Sequence, residues 1–319
     1  MKRQTKKTAI ITCIITGTCI LAGSAFASYS TANGYDVYKK SLKGMIGSQN
    51  YTMDLKIEAS IDGRVIDGCT RTEKFNKDGK ATCSITETGF GSDIISDIIL
   101  ESIYQGGKYY YKNNDSDVWN YYDYADGYEA TGGMLAVEGS DKDTVNKVVR
   151  FTELLADAVV GDLKNNFVYV SGAEDGGAKY SIELDSVQIP EIINAGISAL
   201  CSLNNTGVNY DSDYIKGLTE NDFEYYMYGD MALKSAKCEF SVDNNGRMKN
   251  NVIKADFTVT DINGQTHDFS MSGELNMSDY GTTVPDALSE NAKTRDLSAY
   301  EVTDEGTETN GEVETEVLG

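Results

Sequence analysis

The chain has 319 residues, with 28 Lys and Arg against 50 Asp and Glu and a formal net charge of −22. Such an acidic surface argues against nucleic acid and anionic membrane surfaces as partners, and a chain this long can bury a core in one large or two small domains. Two prolines against 31 glycines suit a hairpin-rich domain better than a disordered chain.

Residues 1–27 carry Lys2, Arg3, Lys6 and Lys7 and no acid, and an apolar run from Thr8 ends in Ala25-Phe26-Ala27. This is the pattern of a signal peptide cut before Ser28. A run of this length can equally stay as one membrane-spanning helix that anchors the chain. Leu21-Ala22-Gly23 has the look of a lipobox, but Ser24 stands where the lipid-carrying Cys belongs. On either reading the rest of the chain is expected outside the cytoplasm, secreted or tethered to a bacterial cell membrane.

From Asn33 to Ser48, Val37, Leu42, Met45 and Ile46 fall near one face, and the spacing predicts a helix. From Asn50 to Thr88 the pattern changes to period two. Tyr51, Met53, Leu55, Ile57 and Ala59 alternate with polar neighbours, then Asp62-Gly63-Arg64 and Asp78-Gly79-Lys80 separate two further strands. The apolar residues all sit on odd positions, so facing pairs sum to an even number. That parity predicts three-residue loops with Gly63 or Gly79 in the left-handed position. Asn245-Gly246-Arg247 and Asn263-Gly264-Gln265 repeat the device, with a bulge expected near Asn250-Asn251.

Between these blocks, Ile94 to Ile103 fits a short helix or a buried strand equally well. Gly106-Gly107 reads as a tight turn between aromatic strands that carry Tyr109, Tyr110 and Tyr111, with Trp119, Tyr121 and Tyr122 on the next strand. A long helix is expected over Ser140–Val160, strands over Phe167–Ser171 and Lys179–Leu184, a helix opening at Pro190, and a short helical piece over Asp222–Tyr228. Lys237–Asp243, Val252–Ile262 and Thr266–Met277 close the domain as strands. From Asp286 onward the core pattern stops and acids dominate, the composition of a disordered tail.

Cys69, Cys83, Cys201 and Cys238 lie beyond the leader. Disulfides are the first expectation for an exported chain, but a hairpin register in which Cys69 faces Glu87 and Cys83 faces Glu73 separates the two sulfurs by roughly 13 Å. Free buried thiols are therefore expected for this pair; Cys201 with Cys238 stays open.

Runs of antiparallel hairpins with helices gathered between them indicate an α+β fold, one curved sheet closing over helical stripes. Three features then resemble a known family over about Asn33–Pro285. They are the early helix running into Asn50-Tyr51-Thr52-Met53, the Ile103–Lys112 Gly-Gly hairpin before Trp119, and the strand ending in Met277-Ser278-Asp279-Tyr280-Gly281 and Val284-Pro285. Together they resemble the LolA/LppX-type superfamily of exported proteins. The resemblance implies a strongly curved antiparallel sheet, an unclosed β-barrel packed around a few helices, with space between for acyl chains. This chain lacks the lipidating Cys of the lipoprotein members, and no counterpart of the carriers' cargo-gripping Arg is recognised.

No catalytic motif, metal set or cofactor loop emerges. His267 is the only histidine and reads as an exposed strand residue. No Cys-x-x-Cys exists, and Asn113-x-Asp115-x-Asp117 lacks the Gly and closing Glu of a calcium loop. The expectation is a non-enzymatic binding protein without cofactor or metal. Residues 1–27 form the leader or anchor, 28–285 the curved-sheet domain and 286–319 the acidic tail. Its partner is a hydrophobic small molecule or lipid in a cavity. Val145, Val149, Leu155, Ile193 and Ile197 are candidates for the helical wall, and Tyr110, Trp119, Phe257 and Phe269 for the sheet wall. The alternative is a cell-surface module that binds cell-wall glycan or an envelope protein through an exposed tyrosine-rich face.

Overall fold

The computed structural model describes residues 34–91, 98–113, 115–123, 168–172, 177–187, 189, 194, 219–220, 223–226 and 231–297. The leader, the expected helix Ser140–Val160, most of the segment after Pro190, Cys201 and the last residues lie outside these. Helix α1 (Gly34–Ile46) feeds β1 (Asn50–Ile61), followed by β2 (Arg64–Asn76), β3 (Cys83–Gly91), β4 (Ile98–Gln105), β5 (Lys108–Asn113) and β6 (Val118–Asp123). After β7 (Val168–Gly172) and β8 (Ala178–Asp185) comes the one-turn helix α2 (Phe223–Tyr226). Then follow β9 (Met231–Val242), β10 (Met248–Thr260), β11 (Thr266–Ser278) and β12 (Lys293–Asp296).

The twelve strands among the described residues belong to one open sheet in the order β12-β6-β5-β4-β3-β2-β1-β11-β10-β9-β8-β7. Two meanders, β1 to β6 and β7 to β11, are joined where β1 pairs antiparallel with β11, from Thr52 opposite Ser278 to Ile61 opposite Phe269. Every pairing is antiparallel except that of β12, which runs parallel to β6. Among the described residues the architecture is mostly β, one long sheet with α1 and α2 as its helices, and the further helices of the α+β expectation lie outside them. The segment at Ile98–Gln105, undecided from periodicity, is strand β4.

The turns show where the parity argument holds and where it moves. The β9–β10 and β10–β11 loops are the expected three-residue type, with Gly246 at φ 75° and Gly264 at φ 80°. In each, an Asp opens the loop and caps it. Asp243 Oδ1 accepts the N–H groups of Asn245 and Arg247, and Asp261 Oδ1 accepts those of Asn263 and Gln265, at 2.8–2.9 Å. The β1–β2 turn differs: Ile61 pairs with Arg64, so it has two residues, Asp62 and Gly63, both at positive φ. The even parity is restored by a register shift at Ala59/Ser60. A shift also occurs between Met248 and Asn250, close to the expected bulge. Gly79 is required for a different reason than positive φ: a Cβ there would stand 2.6 Å from the carbonyl oxygen of Ala81.

The sequence register of β2 and β3 is corrected by one pair: Cys69 faces Gly89, and Cys83 faces Phe75. The two thiols remain too distant to bridge, and Cys69, Cys83 and Cys238 are all buried and outside any disulfide.

The chain past Pro285 also departs from expectation. Residues 286–297 form a strap across the sheet instead of leaving it as tail. Asp286 pairs with Lys74 at 2.9 Å and donates its backbone N–H to the Ser84 hydroxyl oxygen, and Leu288 N–H donates to the Gln105 side-chain oxygen. β12 then closes the β6 edge, where Tyr121 Oη donates to Asp296 and Leu297 N–H reaches the Tyr121 carbonyl. The strap starts from a lock at β1, in which the Asn50 amide exchanges two hydrogen bonds with the Thr283 backbone. Edge pairing satisfies backbone groups that water would otherwise cover, and the charged residues of β12 deter further strands.

Candidate functional site

Because side chains alternate along each strand, the registers divide the sheet into two faces. Odd-numbered residues of β1 point to the inner face, together with Phe269, Met271, Leu275 and Met277 of β11 and Ile253, Ala255, Phe257 and Val259 of β10, all buried except the half-buried Leu55. Phe257 and Phe269 face each other across β10–β11 with ring centroids 5.7 Å apart. Helix α1 rests on this face. Tyr38, fully buried, packs its ring at a tilt against Phe240 with centroids 4.8 Å apart, and its hydroxyl accepts 2.9 Å from the Asn251 amide, whose oxygen accepts from the Cys238 thiol.

The same face continues toward β6 as an aromatic row. Tyr51, Phe75, Cys83, Tyr104, Tyr109 and Tyr122 lie opposite one another strand by strand, with Tyr111 in the adjoining row. Ring spacings are 4.7 Å for Tyr104–Tyr109, 5.6 Å for Tyr109–Tyr111 and 5.3 Å for Tyr109–Tyr122. Tyr51, Phe75 and Cys83 are buried, whereas the four outlying tyrosines are half-exposed. The inner face thus passes from a closed aliphatic core to a partly open aromatic band.

Of the nine residues proposed from sequence, the structure brings together Phe257 and Phe269 on the inner face. Tyr110 and Trp119 are corrected to the opposite face, because Tyr110 pairs with Ile103 and Tyr121 while its neighbours Tyr109 and Tyr111 point inward. They form an outer group: Tyr110 lies 5.3 Å from Tyr121, Lys108 stands 4.1 Å over the Tyr121 ring and Lys112 stands 5.1 Å over Trp119. Val145, Val149, Leu155, Ile193 and Ile197 lie outside the described residues. Sequence reasoning missed Tyr104, Tyr109, Tyr111 and Tyr122 as one inner row. The two-residue Gly106-Gly107 turn, which sets Tyr104 opposite Tyr109, was the available signal.

One charged cluster interrupts the apolar face. Glu73 is fully buried, accepting 2.7 Å from Tyr51 Oη and 2.6 Å from Arg71, which also lies 3.6 Å from Glu87. Burial, reinforced by the Glu73 charge, pushes the Tyr51 phenol far above its ordinary range. Removing Arg71 would leave the buried Glu73 charge without its cation, so the cluster holds β1 and β2 in register rather than offering a free reactive group.

His267 occupies the inner rim at the turn end of the sheet, half-buried instead of exposed. Its Nδ1 is 2.9 Å from Asp62 and its Nε2 3.3 Å from Asp261, with the Tyr226 ring edge-on at 5.1 Å. Both ring nitrogens are engaged, so no nitrogen is available as a general base. Burial pushes the Cys69 and Cys238 thiols up to about 12, far from nucleophilic poise. Among the described residues no group of three or more His, Cys, Asp or Glu could hold a metal ion, and no helix is long and apolar enough to cross a membrane.

No family model and no curated protein matches this chain. It is similar to the solved structure of LprF from Mycobacterium bovis, at 10% identity over 81% of this chain and 96% of that one, with a TM-score of 0.32. Lipovitellin, in a structure titled for its lipid–protein interactions, matches at 11% identity over 78% of this chain and 27% of its own, TM-score 0.26. A LolA superfamily protein from Nitrosomonas europaea matches at 8% identity over 83% and 99% of the two chains, TM-score 0.19. The solved structures similar to this chain therefore include a LolA superfamily protein, the group that its sequence resembles.

Proposed function

We propose that this chain is an extracytoplasmic, non-enzymatic binding protein that takes a lipid or acyl ligand against the inner face of its sheet. The observation that carries the reading is the continuity of that face, from the buried aliphatic rows of β1, β10 and β11 to the half-exposed Tyr104, Tyr109, Tyr111 and Tyr122. An apolar surface that remains partly open, rimmed by rings with one polar atom each, suits a long hydrophobic chain with a wet end. The helices expected over Ser140–Val160 and from Pro190 onward, with Val145, Val149, Leu155, Ile193 and Ile197, would supply the facing wall of the cavity in this reading. The leader of residues 1–27 supports export.

The test is native mass spectrometry of the chain from Ser28 onward, exported from a bacterial host and purified without detergent. Adducts of phospholipid or fatty-acid mass that vanish on denaturation are expected. A clean apo mass, unchanged after incubation with a lipid extract, overturns the reading. A second reading has its own observation: Tyr110, Trp119 and Tyr121 form an aromatic patch on the outer face, flanked by Lys108 and Lys112, which are paired with Asp123 and Glu101. An apo result would favour that patch as a glycan or protein contact, checked on glycan arrays.

A further inference from the structure

The turn end of the sheet is drawn together by one side chain. Asp62 stands in the two-residue β1–β2 turn and Asp261 opens the β10–β11 loop, and His267, on β11, lies between their carboxylates. Asp62 Oδ1 also accepts the Asp268 backbone N–H at 2.9 Å, and Asp261 holds its own loop through two backbone N–H groups. Two residues beyond Asp62, Arg64 Nη2 reaches the Glu220 carbonyl at 2.5 Å and the Tyr226 hydroxyl at 3.5 Å. Helix α2 is thereby tied to the same turn, and its Tyr225 and Tyr226, both buried, cover the inner face at this end.

The chemistry of the ring sets what this junction can do. An imidazolium donates from both nitrogens, so it can satisfy two carboxylates at once; a neutral imidazole has one N–H and must present a lone pair to the other acid. We propose that His267 is a proton-operated clamp: charged, it joins the β1–β2 turn and the β10–β11 loop beside Tyr226 of α2, and on losing its proton it gives up Asp62, leaving that turn to its two bonds with the Asp268 backbone. The release falls there because the Asp261 side chain is 1% exposed and the Asp62 side chain 57%. A buried carboxylate cannot exchange its donor for water, whereas an exposed one can, so the remaining N–H stays on Asp261.

The charged and titratable groups around the ring are Asp62 from the β1–β2 turn, Arg64 from β2, and Asp261 from the β10–β11 loop. Asp268 on β11 is paired to Lys234 of β9 at 2.8 Å, and Glu220, Tyr225 and Tyr226 come from α2 and its approach. The hydrogen bond to Asp62, opposed by burial and aided by Asp261, holds the imidazole above its ordinary range. The His267 bond and then the Asp268 N–H hold Asp62 below the usual carboxylate range. For Asp261, burial acts upward, but the N–H groups of Gln265 and Asn263 followed by His267 and Tyr225 bring it below that range too. A raised base contributes its stability fully below the ordinary histidine value of about 6.5 and loses it as pH rises through the higher folded value. Depressed acids contribute above the ordinary value of about 3.9 and lose it as pH falls through their lower folded values. The clamp is therefore closed below about pH 6.5 and opens as pH rises through the higher folded value of the imidazole. It is independent of what the inner face binds.

His267 is the only histidine in the chain, so its ring nitrogens can be followed without ambiguity by long-range proton–nitrogen NMR on the full chain. Both nitrogens should be protonated at pH 6.5, with a midpoint above that value and the Nε2–H tautomer beyond it. Corrected for intrinsic exchange, amides of Asp62-Gly63-Arg64 and residues 223–226 should exchange about tenfold faster above the midpoint. Asp62→Asn, a change that the exposed turn accommodates, should lower the midpoint and make this exchange insensitive to pH. A midpoint at or below 6.5, or the same exchange on both sides of it, overturns the clamp.

Discussion

The Tyr38 hydroxyl offers the sharpest test of how α1 is seated on the sheet. Tyr38→Phe keeps the ring and its 4.8 Å contact with Phe240 while removing the atom that accepts 2.9 Å from Asn251. Asn251 is 4% exposed, so its amide loses a partner in a place that water does not reach. The hydrogen bond itself is worth about 1 kcal/mol net, and the orphaned donor adds a penalty of about 1–3 kcal/mol, so a loss near 2 kcal/mol is expected. For a domain of this size each kcal/mol moves the melting temperature by about 2–4 °C, which predicts a fall of about 4–8 °C. In urea the midpoint should drop with the slope unchanged, since the surface exposed on unfolding is the same. Asn251→Leu alone should be destabilising for the reciprocal reason, and the double variant should lose less than the two singles summed, by about 1 kcal/mol. An unchanged midpoint for Tyr38→Phe, or strictly additive singles, would refute a buried bond between helix and sheet.

Two further outcomes follow from the geometry. With the thiols of Cys69 and Cys238 moved from about 8.5 to about 12, their thiolate fraction at pH 8 falls by roughly three orders of magnitude. Peptide-resolved mass spectrometry should find Cys69, Cys83 and Cys238 unmodified by iodoacetamide in the native state and fully modified in urea; rapid native labelling of Cys238 would contradict its burial. At the strap, Asp286→Asn should change stability by less than about 1 kcal/mol, because the pair with Lys74 is solvent-exposed. It should nevertheless raise exchange at Lys293–Asp296, while β1 and β11 stay protected; an unaltered β12 would show that the edge pairing holds without the Asp286 anchor.

What could be read without coordinates is what depends on neighbours along the chain. Alternation in β1, β10 and β11, the Gly246 and Gly264 loops with their opening Asp, the paired glycines before Tyr109 and the shift near Asn250 are all products of local backbone sterics, and each is written in a few consecutive residues. The unbridged thiols followed from the same local geometry, even though the β2–β3 register was off by one pair. Tertiary structure decided everything that requires distant segments to meet. Three consecutive tyrosines must divide between two faces, but only the chain of pairings from Tyr51 through Phe75 and Cys83 to Tyr104 assigns Tyr109 and Tyr111 inward and Tyr110 outward. The exposed-looking His267 became a bridge because the turn at Asp62, 205 residues away in sequence, closes on it beside the loop at Asp261. Residues after Pro285 carry no core pattern because a strap needs none: β12 is held by edge backbone pairing and surface polar contacts, and these leave no hydrophobic period to read.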